Sequence, residues 1–184
     1  GVIASSPFQG VVSKAPTPET IRVPADADVE RLIDAAGTRE WRTMLMLCAY
    51  AGLRRGEALG LRWKDVRVEA GRLVVRQTKT ARATGQRTRE VLIDPTLARY
   101  LIEAQEFAKG DRVAEVSSDN LYRQIGTIFE KAGLDPWPKP FQVLRRWRAT
   151  TWRRDYPEHV VDAWLGHSLE VARKHYTAVE ESYY

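Results

Sequence analysis

Tyr176 is preceded by His175, Lys174 and Arg173, and nine residues upstream by His167 beside Gly166. A phenol with a pKa of about 10 is a weak nucleophile until cations or a base stabilise its phenolate. Two arginines and a histidine would suffice. Three other segments carry candidates for that task. In Gln142-Val143-Leu144-Arg145-Arg146, Gln142 and Arg145 are three apart and share a helix face, pairing an amide with a guanidinium fork suited to phosphate oxygens. In Gly52-Leu53-Arg54-Arg55-Gly56-Glu57, Glu57 can brace Arg54 if both lie in one helical turn. Lys79, in Thr78-Lys79-Thr80, stands near the tip of an expected basic hairpin. Each segment also has an ordinary reading: a packed tyrosine, a turn-capping histidine, an arginine-rich surface, a helix ion pair, a solubilising lysine.

Other chemistries fit the chain poorly. His159, His167 and His175 have no carboxylate at zinc-site spacing, and there is no G-x-S-x-G elbow, P-loop or dinucleotide fingerprint. No metal or nucleotide cofactor is expected. Cys48 is the single cysteine, which excludes an internal disulfide and a cysteine metal site.

The 184 residues are 43% hydrophobic and 29% charged, the proportions of one folded domain. No apolar run approaches the roughly 18 to 20 residues that span a bilayer, and the first residues lack a secretory pattern, so a cytoplasmic protein is expected, with no membrane partner. Basic residues exceed acidic ones by 29 − 24 = 5, and they cluster: five arginines fall from Arg145 to Arg154, and six basic residues against one acidic from Arg72 to Glu90. This clustering favours a polyanionic partner.

The elements that must position these residues follow from pattern. Gly1 to Pro24, with four prolines and no periodicity, reads as a linker or arm, and residues 25–184 as the domain. Helices are expected from Asp26, as N-cap, to Ala36; from Arg39 to Ala51, apolar on most faces; and from Leu53 to near Trp63, with Arg54 at the corner after Gly52. Alternation then marks three short strands, Val66-Val68, Leu73-Val75 and Val91-Ile93, turning at Ala70-Gly71 and in the Thr80 to Gln86 loop. Further helices are expected from Asp94-Pro95 to Ala108, Ser118 to Ala132, Phe141 to Arg154 and Tyr156-Pro157 to Leu165, with Ser168 capping the segment of Tyr176. The fold class is mainly α with a small three-stranded antiparallel β-sheet.

Taken in order, A-G-L-R-R-G-E-A-L-G-L-R-W-K-D-V, T-K-T on a hairpin, V-L-R-R, L-G-H-S and H-Y resemble the catalytic domain of the tyrosine recombinases, the phage integrase family. The resemblance spans about Ala25 to Tyr176 and implies that fold, without the upstream core-binding domain that members usually carry. It implies that Arg54 and Arg145 grip the scissile phosphate of double-stranded DNA, Glu57 braces them, Lys79 protonates the leaving 5′-hydroxyl, His167 contacts the phosphate and Tyr176 is the nucleophile. It further implies a site-specific recombinase or integrase working through a 3′-phosphotyrosyl link without metal or ATP. Its partners would be a homotetramer of itself on two DNA sites and directionality or DNA-bending factors, and in a prokaryotic host it would be nucleoid-associated.

Three other readings compete: a DNA-binding protein of the same fold with weak or no catalysis, a type IB topoisomerase-like enzyme, and a basic helical domain with no nucleic-acid role. Gln142 departs from the family pattern, in which most members have His three residues before the second arginine. An amide donates a hydrogen bond but accepts no proton at neutral pH. Gln142→His is therefore expected to raise the rate of strand cleavage; an unchanged or lower rate between about pH 6 and 9, the span over which an imidazole gains base character, would refute the inference.

Overall fold

The computed structural model describes residues 23–76, 88–166 and 183. The expected arm up to residue 22, the hairpin tip with Lys79, and the segment with His167, Ser168 and Tyr176 lie outside the described residues. Among the described residues seven α-helices and three strands follow one another as α1 (Asp26–Asp34), α2 (Arg39–Tyr50), α3 (Arg55–Gly60), β1 (Val66–Arg67), β2 (Arg72–Arg76), β3 (Thr88–Leu92), α4 (Pro95–Glu106), α5 (Leu121–Ala132), α6 (Pro140–Asp155) and α7 (Glu158–Leu165), with one 3-10 turn at Trp63–Asp65 between α3 and β1. The described chain is thus mainly helical with one small sheet, as the patterning indicates. Among the described residues no helix is long and apolar enough to cross a membrane.

Helix α2 is the axis of the core. Thr38 caps it by accepting a hydrogen bond from the Trp41 amide, and Thr43 to Ala49 are buried without interruption. A helix buried on nearly every face needs neighbours on every face, and α1, α3, α4 and α6 all pack against it. Gly52 ends this run at φ +59°, where an added Cβ would lie 3.0 Å from the Leu165 side chain and 3.5 Å from Trp152. Only glycine accepts both the left-handed backbone and that close approach.

The sheet is antiparallel in the order β1-β2-β3, with Leu73 opposite Val91 and Val75 opposite Arg89. Leu73, Val75 and Val91 point into the core. Arg89 shares their phase and is buried with them, although it is charged.

Five helix boundaries stand out as different from the sequence reading. Asp26 is not the cap of α1; Ala25 holds that position, and the Asp26 carboxylate instead accepts from the Trp147 indole of α6 at 2.7 Å. Helix α3 stops at Gly60 rather than Trp63, because the backbone there pairs with the connector: Val113 donates to the Leu61 carbonyl and Trp63 to that of Asp111. Helix α5 begins at Leu121, not Ser118, because Asn120 adopts φ +56°, outside the helical region. Helices α1 and α4 end two residues early, and the last turn of α4 tightens through Phe107 donating to Ala104 and Ala108 to Gln105.

Trp152 on α6 stacks edgewise on Trp164 of α7 at 5.2 Å, and Trp164 on Tyr156 at 4.9 Å. These contacts hold the last described helix against α6. Leu47, fully buried at the centre of α2, offers the cleanest test of this core. Leu47→Ala is expected to cost about 2 to 5 kcal/mol, measured by urea denaturation.

Candidate functional site

Arg54 follows the break at Gly52 and Leu53 and occupies the N-cap of α3, in extended conformation. The third helical residue after it is Glu57, whose Oε2 accepts from the Arg54 backbone amide at 2.8 Å, satisfying one of the open donors at a helix start. Glu57 Oε1 accepts from the Arg54 guanidinium, also at 2.8 Å. The brace expected from spacing is present, and half of it is a helix cap.

The other half comes from a residue that the spacing argument missed. Arg89 of β3 donates Nη1 to Glu57 Oε1 and Nη2 to Oε2, both at 2.8 Å, in a parallel fork. Both side chains are almost sealed from water, 3% exposed for Arg89 and 5% for Glu57. Burial alone would raise the pKa of Glu57; the hydrogen bonds and charge of Arg89, with those of Arg54, outweigh it and hold the carboxyl at about 2. A signal existed in the sequence: counting back by two from Val91 puts Arg89 on the inward face of its strand, where a charge requires a partner.

Arg145 enters from α6, its side chain 11% exposed, with Nη1 lying 3.9 Å from Glu57 Oε2. Its direct hydrogen bonds go to backbone: Nη1 to the Gly52 carbonyl at 2.6 Å and Nη2 to the Leu165 carbonyl. Burial and then the neighbouring Arg54 charge pull its pKa down to about 9, which leaves it charged at neutral pH.

The end of α7 ties the three arginines together. Trp164 O accepts from Arg89 Nε at 2.7 Å, Leu165 O from Arg145, and Gly166 O from Arg54 Nη2 at 3.1 Å. These are consecutive carbonyls at a helix C-terminus, which have no partner inside the helix and carry its negative partial charge. Three guanidiniums therefore cap one helix end. Gly166 itself sits at φ +64°, and a Cβ on it would come within 2.9 Å of Arg89 Cδ.

Arg54, Glu57, Gln142 and Arg145 line one open cleft of about 630 Å³. Arg55, Lys139, Arg146 and Arg153 also line it, so its walls carry six cationic side chains and one carboxylate. Gln142 is exposed one turn before Arg145, on the shared face that the i, i+3 spacing indicates. The structure thus brings together four of the seven residues singled out from sequence. Lys79, His167 and Tyr176 lie outside the described residues, although Gly166, next to His167, is bonded to Arg54. The arrangement is suited to an anion with several oxygens: charged donors held rigid in a partly dehydrated cleft.

Comparison with known proteins identifies the family and the fold. The model described as "Phage integrase family" matches residues 24–182. The crystal structure of XerA recombinase superposes with a TM-score of 0.67 at 23% identity, covering 88% of this chain and 61% of that one. The lambda integrase catalytic core superposes with a TM-score of 0.62 at 20% identity, covering 78% of this chain and 90% of that one. These likenesses establish the fold. By sequence, the "Putative defective protein IntQ" of Escherichia coli (strain K12) is 30% identical over 80 residues, 42% of this chain. The chain spans 19% of that relative's length.

The depressed pKa of Glu57 makes stability depend on pH. Between its folded value of about 2 and the ordinary value of 4.5, the unfolded chain binds the proton and the folded one does not. The resulting stabilisation, roughly 3 kcal/mol, is complete above about pH 4.5 and drains away as pH falls towards 2. Urea midpoints taken across this acid range are expected to fall steeply in the wild type. Glu57→Gln is expected to lower the neutral-pH midpoint and to flatten that acid slope.

Proposed function

Because the chain belongs to the phage integrase family, whose members are tyrosine site-specific recombinases, we propose that its cleft binds the scissile phosphate of double-stranded DNA and cuts and rejoins the strand through Tyr176. The observation that carries the reading is the pair of braced guanidiniums, Arg54 and Arg145, lining one cationic cleft beside the end of α7. Attack on a phosphodiester gathers negative charge on the non-bridging oxygens, and donors fixed in advance stabilise that state more than the ground state.

In this proposal Tyr176 Oη attacks phosphorus and the bond to the 5′ oxygen breaks, leaving a 3′-phosphotyrosyl ester. Lys79 donates a proton to the departing 5′ oxygen. The phenol proton leaves to His167 or to solvent hydroxide, since the Gln142 amide does not accept it. Gln142 and His167 donate hydrogen bonds to the phosphate. The ester conserves the energy of the original bond, so a 5′-hydroxyl from another duplex reverses the step and exchanges strands. A homotetramer on two DNA sites, assisted by directionality or DNA-bending factors, is the assembly this exchange requires. Residues 1–24 would serve as the linker to an upstream domain on the opposite face of the DNA.

A second reading has its own support: Gln142 stands where a proton acceptor is usual in the family, and the relative IntQ carries the word defective in its name. On that reading the chain binds DNA through the same cleft and turns over slowly or not at all. A nicked duplex carrying the cognate site separates the two. The wild type is expected to form a covalent protein–DNA adduct that survives denaturation, and Tyr176→Phe to form none. No adduct from a wild type that binds the duplex would favour the binding-only reading; an adduct persisting in Tyr176→Phe would place the nucleophile elsewhere, at Tyr183 or Tyr184.

A further inference from the structure

We propose that Arg89 is a positioning residue that sets the net charge of the phosphate cleft and joins the hairpin to it. This inference rests on the reading of the cleft as a phosphate site. Three geometric facts carry it. First, Arg89 occupies both oxygens of Glu57 in a fork, so the carboxylate is neutralised by a group that does not line the cleft. Second, its Nε donates to the Trp164 carbonyl, next to the carbonyls that hold Arg145 and Arg54. Third, Val75 opposite Arg89 and Arg76 opposite Thr88 are the last described pairs of β2 and β3. Arg89 thus stands near the described end of the strand pair and is bonded to two of the segments that form the cleft.

The charge arithmetic gives this position a chemical consequence. Three guanidiniums less one carboxylate leave the Arg54, Arg89, Arg145 and Glu57 cluster at +2. Without Arg89 the same cluster would be +1, and Glu57 would draw on the charge of Arg54 and Arg145. A phosphodiester carries one negative charge, and the pentacoordinate state on the way to cleavage carries two. A +2 cluster discriminates between them by charge as well as by hydrogen bonding, which is the condition for lowering a barrier rather than merely binding substrate. Arg89 acts through the residues it holds, not by touching phosphate.

Inorganic phosphate is a suitable probe because one ligand samples both charges as pH is raised through its second ionisation. Titrating the whole chain by calorimetry should show affinity for phosphate rising at least tenfold, on the order of 1.4 kcal/mol, from the monoanion to the dianion. In Arg89→Gln that rise should be lost. The double variant Glu57→Gln/Arg89→Gln returns the cluster to +2 with a neutral hydrogen-bonded pair and should recover most of it, even though the fork is gone. Arg89→Gln leaves a buried carboxylate unpaired and is the variant at risk of unfolding, so the double variant carries the test if the single one does not fold. A wild-type rise absent from the double variant as well would overturn the charge assignment, as would an Arg89→Gln profile identical to the wild type or a wild type that does not distinguish the two ions. Wild-type preference for the dianion without any covalent DNA adduct would count against the recombinase reading alone.

Discussion

Everything in the cleft depends on one buried carboxylate. Glu57 accepts the Arg54 backbone amide, the Arg54 guanidinium and the Arg89 fork, and lies within ion-pair distance of Arg145. A carboxylate so enclosed would be costly if left alone, and removing one partner from such a buried pair typically costs about 3 to 5 kcal/mol. The same constraint that makes Glu57 expensive makes it precise. Its lone pairs are filled by groups from α3 and β3, while α6 supplies Arg145, so these elements cannot shift independently without exposing an unpaired charge.

The C-terminus of α7 completes the restraint from the other side. Three successive carbonyls need donors, and three arginines from different segments supply them. Neither set of groups is satisfied without the other: the arginines are held by the helix end, and the helix end is capped by the arginines. The aromatic contacts among Trp152, Tyr156 and Trp164 fix where that end lies. Gly166 has to be glycine both for its left-handed backbone and for the space that Arg89 fills. A chain leaving this point starts beside a cluster of oriented positive charge, which is where a phosphate-directed residue would have to be delivered.

Much of this was legible in the order of residues, and the failures have physical causes. The i, i+3 spacing of Arg54 with Glu57 and of Gln142 with Arg145 indicates which side chains lie together, and the fold then brings both pairs to one cleft. Gly52 and Gly166 marked real helix ends because a left-handed backbone at each excludes most other residues. Arg89 is not marked by apolar alternation, which begins at Val91, although the same period extended by two residues reaches a charge on the buried face. Asp26 is a cap residue by type, yet the Trp147 indole holds its carboxylate, a tertiary contact without local signature. The length of α3 was likewise decided by pairing with a connector some fifty residues later, which no local pattern records. Lys79, His167 and Tyr176 rest on resemblance to the family, since they lie outside the described residues.

The central claim is that Arg54 and Arg145 are fixed before any phosphate arrives, so that binding reorganises little and the charge is ready where it is needed. Nitrogen-15 relaxation of the arginine Nε groups in the DNA-free protein tests this directly. The account predicts order parameters for Arg54, Arg89 and Arg145 close to those of rigid backbone, about 0.85, with exposed arginines such as Arg154 well below them. Values under about 0.6 for Arg54 and Arg145 in the folded, DNA-free chain would contradict it, because the clamp would then be assembled by the substrate rather than by Glu57 and the helix end.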